Sequence, residues 1–383
     1  MWKSLAANTI TVIIALLLTM AVVIGWGQAQ YRGGGPLEQA ICLQVKSGSN
    51  MSLVSEDLAE QGAISSASIF RLGADYSGKA PLLKAGSFLV LPGSSMEQIV
   101  EVVTKGGRST CGTEINYRIG VLRAQTIVRE LDPNTNRYVD LMSFQTGEEV
   151  PANYAQYAEA SDTRFRVTLA EGVTSWQVVE TLKAAGFLEG TVEEVPGEGM
   201  LAPDSYEVTR GSERADLLAR MQEAQERILA DLWAARAPGL PLQTPEEALV
   251  LASIIEKETA VADERPQVSS VFINRLNRGM RLQTDPTVIY GITEGRGSLG
   301  RGLRVSELRG ATPYNTYVIQ GLPPGPIANP GRESIAAALD PAATDLLFFV
   351  ADGTGGHAFA ETLEEHNRNV AKWREIERER QNN

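Results

Sequence analysis

The sequence predicts an α+β protein with three parts: an N-terminal transmembrane helix, a β-α-α-β module and a mixed α/β C-terminal domain. Three observations support this fold class: an uncharged apolar run opens the chain, a strand–helix–helix–strand pattern follows it, and capped helices alternate with short strands near the C-terminus. With 383 residues, the chain is long enough for two or three domains.

Composition narrows the classes of function. Apolar residues make up 43% and charged residues 21%, which is ordinary for a globular protein. The formal net charge of −12 argues against a nucleic-acid partner, because phosphate binding requires clustered Lys and Arg. Two histidines and no Cys-x-x-Cys pair give no sign of a metal site. No Gly-rich loop indicates a phosphate-bearing cofactor either, so we expect no cofactor.

The N-terminal apolar run is long enough to cross a bilayer. No charged side chain occurs from Ser4 to Tyr31, and about 20 helical residues span the hydrocarbon core. We therefore predict a cytoplasmic tail at residues 1–8 and a transmembrane anchor at 9–27. A cleaved signal peptide is the alternative, because Gly27-Gln28-Ala29 resembles a cleavage site. Both interpretations export the rest of the chain.

The two cysteines, Cys42 and Cys111, follow the apolar run. In an oxidising compartment they can pair and close a loop around the first module. Two free buried thiols are the alternative, and the sequence does not decide between them.

A compact module is predicted at residues 38–107. A strand at Ile41–Val45 precedes two helices, Ser52–Gln61 and about Ser66–Ala74, and a second strand covers Ala85–Leu91. This order and spacing resemble the LysM-type glycan-binding module. The remaining boundaries are an inserted polar lobe at 108–164, a second strand–helix module with a connecting helix at 165–240, and the domain that carries the chemistry at 241–375.

A helix near the start of that last domain has a clear beginning. Thr244 is predicted as its N-cap, Pro245 occupies the first helical position, and Glu247 completes a capping box. The helix should then run through an aliphatic segment to the Glu-Lys-Glu-Thr sequence at 256–259.

Helical geometry selects Glu258 from this sequence. At about 100° per residue, Leu251, Ile254 and Ile255 lie within roughly 60° of Glu258, whereas Glu256 lies about 200° away. Partial burial on an apolar stripe would raise the pKa of Glu258 and keep it protonated near neutral pH. A protonated carboxyl is what glycosidic-bond cleavage requires of a general acid.

A plainer interpretation of Glu258 is also open. The residue stands at the predicted end of the helix, where it could lie near the surface and pair with Lys257 or Arg265. From one helix alone we favour this alternative.

Long motifs in the C-terminal half resemble the endolytic murein transglycosylases, the MltG or YceG-like family. The matching segments are LASIIEKETAVADERPQVSSVFINRLNRGMRLQTDPTVIYGI (251–292), ATPYNTYVIQGLPPGPIANPG (311–331), FFVADGTGGHAFAETLEEHN (348–367) and LAPDSYEV (201–208). The resemblance covers the anchor, the LysM-like module and nearly all of 166–375. Residues 108–164 are longer than the family pattern leads us to expect.

The resemblance implies a reaction. The catalytic acid of the family is the second Glu of Glu-Lys-Glu-Thr, which is Glu258 here. It would protonate the oxygen between N-acetylmuramic acid and N-acetylglucosamine, and the muramic 6-hydroxyl would close on C1 to leave a 1,6-anhydro end. Such a lyase needs no second carboxylate as nucleophile. Its expected role is to limit or terminate the elongation of glycan strands.

Two further clusters are predicted to bind substrate. Gln283, Thr284, Asp285 and Tyr290 lie around an expected turn at Asp285-Pro286, where they could contact sugar hydroxyl and N-acetyl groups. The alternative is an Asx-type turn with Tyr290 in the core.

The second cluster consists of Tyr314, Asn315 and Thr316. Together with Tyr317, these residues are similar to the Ala-Tyr-Asn motif of lysozyme-like transglycosylases. Asn315 could orient a glycan or cap a turn. We interpret His357 as structural, with a second catalytic role as the alternative, and we expect His366 on the surface of the last helix.

The implied partners follow from the resemblance. The substrate would be peptidoglycan glycan strands on the periplasmic side of the inner membrane, and penicillin-binding proteins or other cell-wall synthases are partner candidates. The alternative function is a non-catalytic peptidoglycan-binding scaffold for such synthases. The dense motif at 251–292 argues against it, because a scaffold needs no acid on an apolar stripe.

Overall fold

The computed structural model describes residues 2–105, 110–160 and 162–382. Residues 106–109 and 161, which fall partly in the predicted module 38–107 and lobe 108–164, lie outside the described residues. Contacts divide the chain into two compact units. Unit 1 comprises residues 1–115, 127–144 and 149–164, and unit 2 comprises 116–126, 145–148 and 165–383. The domain boundaries given above stay predictions.

The helices and strands are numbered in chain order. The helices are α1 Trp2–Arg32, α2 Met51–Glu60, α3 Ala67–Tyr76, α4 Met96–Thr104, α5 Tyr154–Glu159, α6 Ser175–Lys183, α7 Arg214–Ala234, α8 Pro245–Glu258, α9 Arg265–Asn277, α10 Asp285–Thr293, α11 Val305–Arg309, α12 Arg332–Leu339 and α13 Leu363–Asn382. The strands are β1 Ile41–Val45, β2 Gly86–Val90, β3 Thr113–Ile119, β4 Ala124–Asp132, β5 Arg137–Gln145, β6 Arg164–Leu169, β7 Leu188–Glu189, β8 Ser205–Val208, β9 Ser212–Glu213, β10 Phe348–Ala351 and β11 His357–Ala360.

Helix α1 contains the apolar run. Its stretch Ile10–Arg32 has 23 residues, none of them buried against the rest of the protein, and its length and composition suit a membrane span. The N-terminal apolar helix expected from the sequence is therefore present.

Unit 1 contains the predicted β-α-α-β order. Strands β1 and β2 pair antiparallel, with Ile41 opposite Val90 and Val45 opposite Gly86. The bounds of all four elements agree with the sequence-based bounds to within two residues. Cys42 in β1 and the buried Cys111 form a disulfide with Cα atoms 5.7 Å apart, so the thiols are paired rather than free. The likeness to a LysM module stays a prediction.

Unit 2 is built around α8. The sheet of unit 2 contains β6, β8 and the segments of β3 and β4 that belong to this unit. These strands lie in the order β4-β3-β6-β8, and β6 pairs antiparallel with β8. The aliphatic core brings together side chains from α7, α8, α9 and α12. Strands β10 and β11 form a separate antiparallel hairpin, with Phe348 opposite Ala360.

Helix α8 begins where the sequence predicts, but one capping contact differs. The Thr244 hydroxyl accepts from the Glu247 backbone N–H, and Pro245 stands in the first turn. The Glu247 carboxylate accepts from the N–H of Gln243 at 2.5 Å, one residue before the predicted partner. Every residue from Ala248 to Ile255 is buried, so the helix is enclosed on all sides rather than along one apolar stripe. A helix apolar all round belongs in a core.

Candidate functional site

Helix α8 brings Glu258 to a cavity of about 480 Å³. Glu258 is the last residue of the helix, and the buried segment before it holds the helix end in place. The cavity is lined by Glu258, Arg275, Leu282, Gln283, Asp285, Tyr317, Phe348, Phe349, Val350, Leu363, His366 and Val370. This volume lies in the range of about 300–1,000 Å³ that is typical of ligand sites.

The carboxyl group of Glu258 is held by Thr284, whose hydroxyl donates to Oε1. Thr284 directly precedes α10, and Gln283 before it has a left-handed backbone with φ of 52°. The expected turn at Asp285-Pro286 is therefore wrong: these two residues form the first turn of α10, where proline is well tolerated because its missing N–H would have no helical partner.

Thr316 holds the Thr284 backbone from behind. Its hydroxyl accepts from the Thr284 N–H at 3.0 Å and lies 2.9 Å from the Thr287 hydroxyl, and its carbonyl accepts from the Gln283 N–H at 3.2 Å. Thr316 is fully buried. The predicted residues Thr284 and Thr316 thus come together, with Thr316 supporting the loop that carries Thr284.

Burial determines the protonation of Glu258. Removal of the carboxyl from water raises the pKa of Glu258, and the nearby charge of Asp285 raises it further. The hydrogen bond from Thr284 and the electrostatic interactions with His357 and Arg275 lower this pKa, but burial outweighs them. Glu258 therefore keeps its proton to a higher pH than a free glutamic acid does, and it can donate that proton inside the cavity.

The surface alternative for Glu258 does not fit the structure. Arg265 lies 3.3 Å from Glu171 and 4.0 Å from Glu256, and the Lys257 ammonium donates to the Gly172 carbonyl at 3.2 Å. Among the described residues, neither cation forms an ion pair with Glu258 within 4.0 Å.

Glu256 points away from the cavity, as the helical geometry predicts. Its Oε2 accepts from the Gly331 N–H at 3.0 Å and from the Ser334 hydroxyl at 2.7 Å. Both partners lie at the start of α12, so the Glu256 carboxylate joins α8 to α12. A structural role follows for Glu256.

Asp285 lines the same cavity as Glu258. The Tyr317 hydroxyl donates to its Oδ1 at 2.7 Å. Burial, followed by the hydrogen bond and charge of Asp285, raises the pKa of Tyr317, so the phenol stays protonated as a donor. Tyr317 belongs to the same sequence motif as Tyr314, Asn315 and Thr316, but it was not among the residues predicted to bind substrate.

Tyr290 lies in a different cavity. That cavity, of about 310 Å³, is also lined by Lys257. The Tyr290 hydroxyl donates to Glu198 at 3.2 Å, and its ring packs against the ring of Tyr314 with centroids 4.9 Å apart. Tyr290 also contacts the aliphatic core of unit 2, which agrees with part of the core alternative. The structure does not bring Tyr290 or Tyr314 to the Glu258 cavity.

Asn315 is fully buried and holds a turn. Its amide donates to the carbonyls of Glu307, Leu308 and Gly310, and its Oδ1 accepts from the Tyr317 N–H at 3.0 Å. These bonds use both ends of the amide inside the protein. Of the two interpretations of Asn315, this arrangement favours the one in which it stabilises a turn.

The sequence led us to expect His366 on the surface of α13, but the side chain is partly buried. It lines the Glu258 cavity and stacks on Phe348, with ring centroids 5.1 Å apart. Strand β10 supplies Phe348, so α13 and the hairpin together contribute one wall of the cavity.

Arg275 belongs to the same wall and was also missed. It is buried, donates from Nε to the Leu347 carbonyl at 2.7 Å and from Nη1 to the Leu282 carbonyl at 2.6 Å, and lies over the Phe348 ring. Arg275 lies four residues after the buried Val271 on α9, so helical periodicity could have predicted its burial.

His357 is close to this wall but does not line the cavity. Its Nδ1 lies 2.8 Å from Glu264 Oε2, and its backbone N–H donates to Glu264 Oε1 at 2.8 Å. The Thr259 hydroxyl, one residue after Glu258, donates to the same Oε2 at 3.2 Å. These bonds connect β11 to the end of α8, which is consistent with a structural role.

Comparison with known proteins identifies the family of this chain. A model of the YceG-like family matches residues 143–372. An endolytic murein transglycosylase of Streptococcus pneumoniae serotype 2 is 26% identical over 339 residues, which cover 87% of this chain and 58% of that protein. One from Bacillus subtilis is 27% identical over 332 residues, or 86% of this chain and 84% of that protein. The chain thus spans little more than half the length of the pneumococcal relative.

One solved structure also aligns with most of this chain. The crystal structure of a YceG-like protein from Listeria monocytogenes is 26% identical, covers 86% of this chain and 99% of that one, and superposes with a TM-score of 0.47. The family match extends from the end of β5 into α13 and includes Glu258 and every residue that lines its cavity. The chain belongs to the YceG-like family.

Proposed function

We propose that this chain is a peptidoglycan lytic transglycosylase that cleaves the bond between N-acetylmuramic acid and N-acetylglucosamine. The observation that carries the proposal is the carboxyl of Glu258 at the wall of a cavity of ligand size, where burial raises its pKa. Relatives over most of this chain are named endolytic murein transglycosylases, which supports the same activity here.

The proposed mechanism uses one carboxyl group twice. Glu258 gives its proton to the glycosidic oxygen while the bond from that oxygen to muramic C1 breaks. The muramic 6-hydroxyl oxygen then bonds to C1, and its proton returns to the Glu258 carboxylate. One strand gains a 1,6-anhydro end and the other a free hydroxyl, and the enzyme returns to its starting protonation. Thr284 orients the carboxyl for both proton transfers.

Hydrolysis is a second candidate reaction, because Asp285 lines the same cavity. Most glycoside hydrolases use two carboxyl groups, one on each side of the glycosidic bond. The Tyr317 hydroxyl donates a hydrogen bond to Asp285, which holds this carboxyl group in one orientation. That arrangement favours a role in orienting substrate over a role as the second catalytic group of a hydrolase. A non-catalytic scaffold for cell-wall synthases is the third possibility, and it gives no reason for burying an acid at the end of α8.

Product analysis separates these three functions. Purified full-length protein in detergent is incubated with peptidoglycan, and the soluble products are analysed by mass spectrometry. We expect muropeptides with 1,6-anhydromuramic ends, released from within long strands. Reducing ends would establish hydrolysis, and the absence of products together with glycan binding would establish the scaffold.

The proposed location follows from α1. We propose that this helix anchors the chain in the inner membrane with unit 2 in the periplasm, where cleavage would limit strand elongation beside the cell-wall synthases. Full-length protein should then remain with membranes after carbonate washing. A soluble mature protein beginning near Gln30 would contradict the anchor.

A further inference from the structure

His366 is placed to contact whatever occupies the Glu258 cavity. It projects from α13 into the cavity wall, and stacking on Phe348 at an interplanar angle of 22° fixes its ring. The mechanism proposed above does not use this residue. A titratable side chain that lines the cavity of a buried acid therefore lacks an assigned role.

Neither ring nitrogen of His366 has a protein partner among the described residues. Nδ1 is enclosed by protein atoms and receives no hydrogen bond. A buried N–H without an acceptor is rarer in proteins than an unpaired lone pair. The favoured arrangement therefore leaves the lone pair on Nδ1 and the single hydrogen on Nε2, which makes Nε2 a hydrogen-bond donor.

The surroundings keep this imidazole neutral. Burial lowers the pKa of His366, and the positive charge of Arg275 lowers it further. Glu258 and Asp285 line the same cavity and carry the acidic groups that face it. An anionic group such as a carboxylate or a phosphate would be repelled by the charge of Asp285 in this cavity, so an uncharged oxygen is the better acceptor for the His366 donor.

The neighbouring wall is apolar. Phe349 and Val350 follow Phe348 along β10, and Leu363 and Val370 stand on α13 on either side of His366. A donor nitrogen set in an apolar wall matches an acetamido group, which has one carbonyl oxygen and one methyl group.

We propose that His366 binds the N-acetyl group of a sugar in the glycan strand, with Nε2–H donating to the acetamido carbonyl and the methyl group packing on the β10 wall. This inference rests on the proposed function, and it adds a specificity for N-acetylated over de-N-acetylated strands.

The test compares two substrates and two substitutions in the full-length protein. His366→Phe keeps a ring that can stack on Phe348 but removes both nitrogens, and His366→Gln keeps a donor. Asn367→Ala, at an exposed neighbouring position of α13, is the matched control. Each protein is assayed for kcat/KM and for binding on peptidoglycan strands before and after chemical N-deacetylation.

We expect wild type and Asn367→Ala to prefer acetylated strands. His366→Phe should lose roughly tenfold on acetylated strands, the size of one neutral hydrogen bond, and little on deacetylated strands. His366→Gln should recover part of the preference. In His366→Phe, an equal loss on both substrates, or an unchanged preference for acetylated strands, would overturn the assignment.

The binding measurement tests the role of His366 separately from the proposed reaction. If wild type binds strands without cleaving them, the proposed function fails, and the acetyl preference in binding still decides the role of His366. If His366→Phe does not fold, as thermal melting would reveal, His366→Leu replaces it as the variant without a donor: a reduced acetyl preference at the melting temperature of wild type supports the donor role, and an unchanged preference contradicts it.

Discussion

The Thr284 hydroxyl donates to Oε1 of Glu258, although Thr284 occupies the N-cap position of α10. A threonine at an N-cap usually accepts a hydrogen bond from a backbone N–H of its own helix. The side chain of Thr284 makes no such bond. The start of α10 therefore forgoes a stabilising cap, and the hydroxyl orients the buried carboxyl of α8 instead.

Thr284→Val should show how much the hydrogen bond from Thr284 contributes to the orientation and to the pKa of the Glu258 carboxyl. Valine has a similar shape but cannot donate, so we expect activity to fall roughly fivefold to tenfold at neutral pH. The lost hydrogen bond had favoured the ionised carboxylate, so the pKa of Glu258 should rise. The alkaline limb of the pH–rate profile should then move to higher pH. A shift to lower pH would contradict the assignment of that limb to Glu258.

Glu258→Gln and Glu256→Gln should have opposite consequences. Glutamine at 258 cannot donate a proton to the leaving oxygen, and general acid catalysis typically contributes a factor of about 10² to 10⁴. Activity should fall by at least that factor while the fold is kept. Glu256→Gln should retain activity but lose roughly 1–3 kcal/mol of stability, because a neutral amide oxygen accepts more weakly than the carboxylate Oε2 that bonds both Gly331 and Ser334.

Both variants are assayed on the same peptidoglycan, with thermal melting as the control for folding. An inactive Glu256→Gln beside an active Glu258→Gln, at equal melting temperature, would show that the wrong glutamate has been assigned.

The buried acid should also affect stability in a pH-dependent way. Because burial raises the folded-state pKa of Glu258 above the unfolded value of 4.5, its favourable contribution is complete below pH 4.5. That contribution is lost as pH rises through the folded value, at about 1.4 kcal/mol per pH unit. The glutamine of Glu258→Gln does not titrate, so the melting temperature of this variant should rise relative to that of wild type as the pH increases from 4.5 to 8. A constant difference would mean that Glu258 is not buried as an acid.

The disulfide should stabilise unit 1. Cys42 and Cys111 are 69 residues apart, and chain-entropy arguments give about 4 kcal/mol for closing such a loop. The double variant Cys42→Ser/Cys111→Ser should unfold at lower denaturant concentration than the oxidised protein. Thiol labelling of unreduced, denatured wild type should find no free cysteine. Two labelled thiols would show that the bridge does not form.

Local signals in the sequence were sufficient for several elements. The cap at Thr244 and the proline after it predict the start of α8, because both act within one helical turn. The alternation of strand and helix patterns predicted β1, α2, α3 and β2 to within two residues. Helical phase also separated Glu256 from Glu258, since side-chain direction follows from about 100° per residue.

The sequence by itself determined the apolar N-terminal helix, the start of α8 and the opposite directions of its last two glutamates, since each depends on residues close together in the chain. Tertiary structure decided what surrounds Glu258. It brought His366 from α13 and Phe348 from β10 to the cavity wall, about a hundred residues after the acid, and it placed Tyr290 in another cavity. Such contacts depend on how helices and strands pack, and single-residue patterns carry no information about packing partners so distant in the chain.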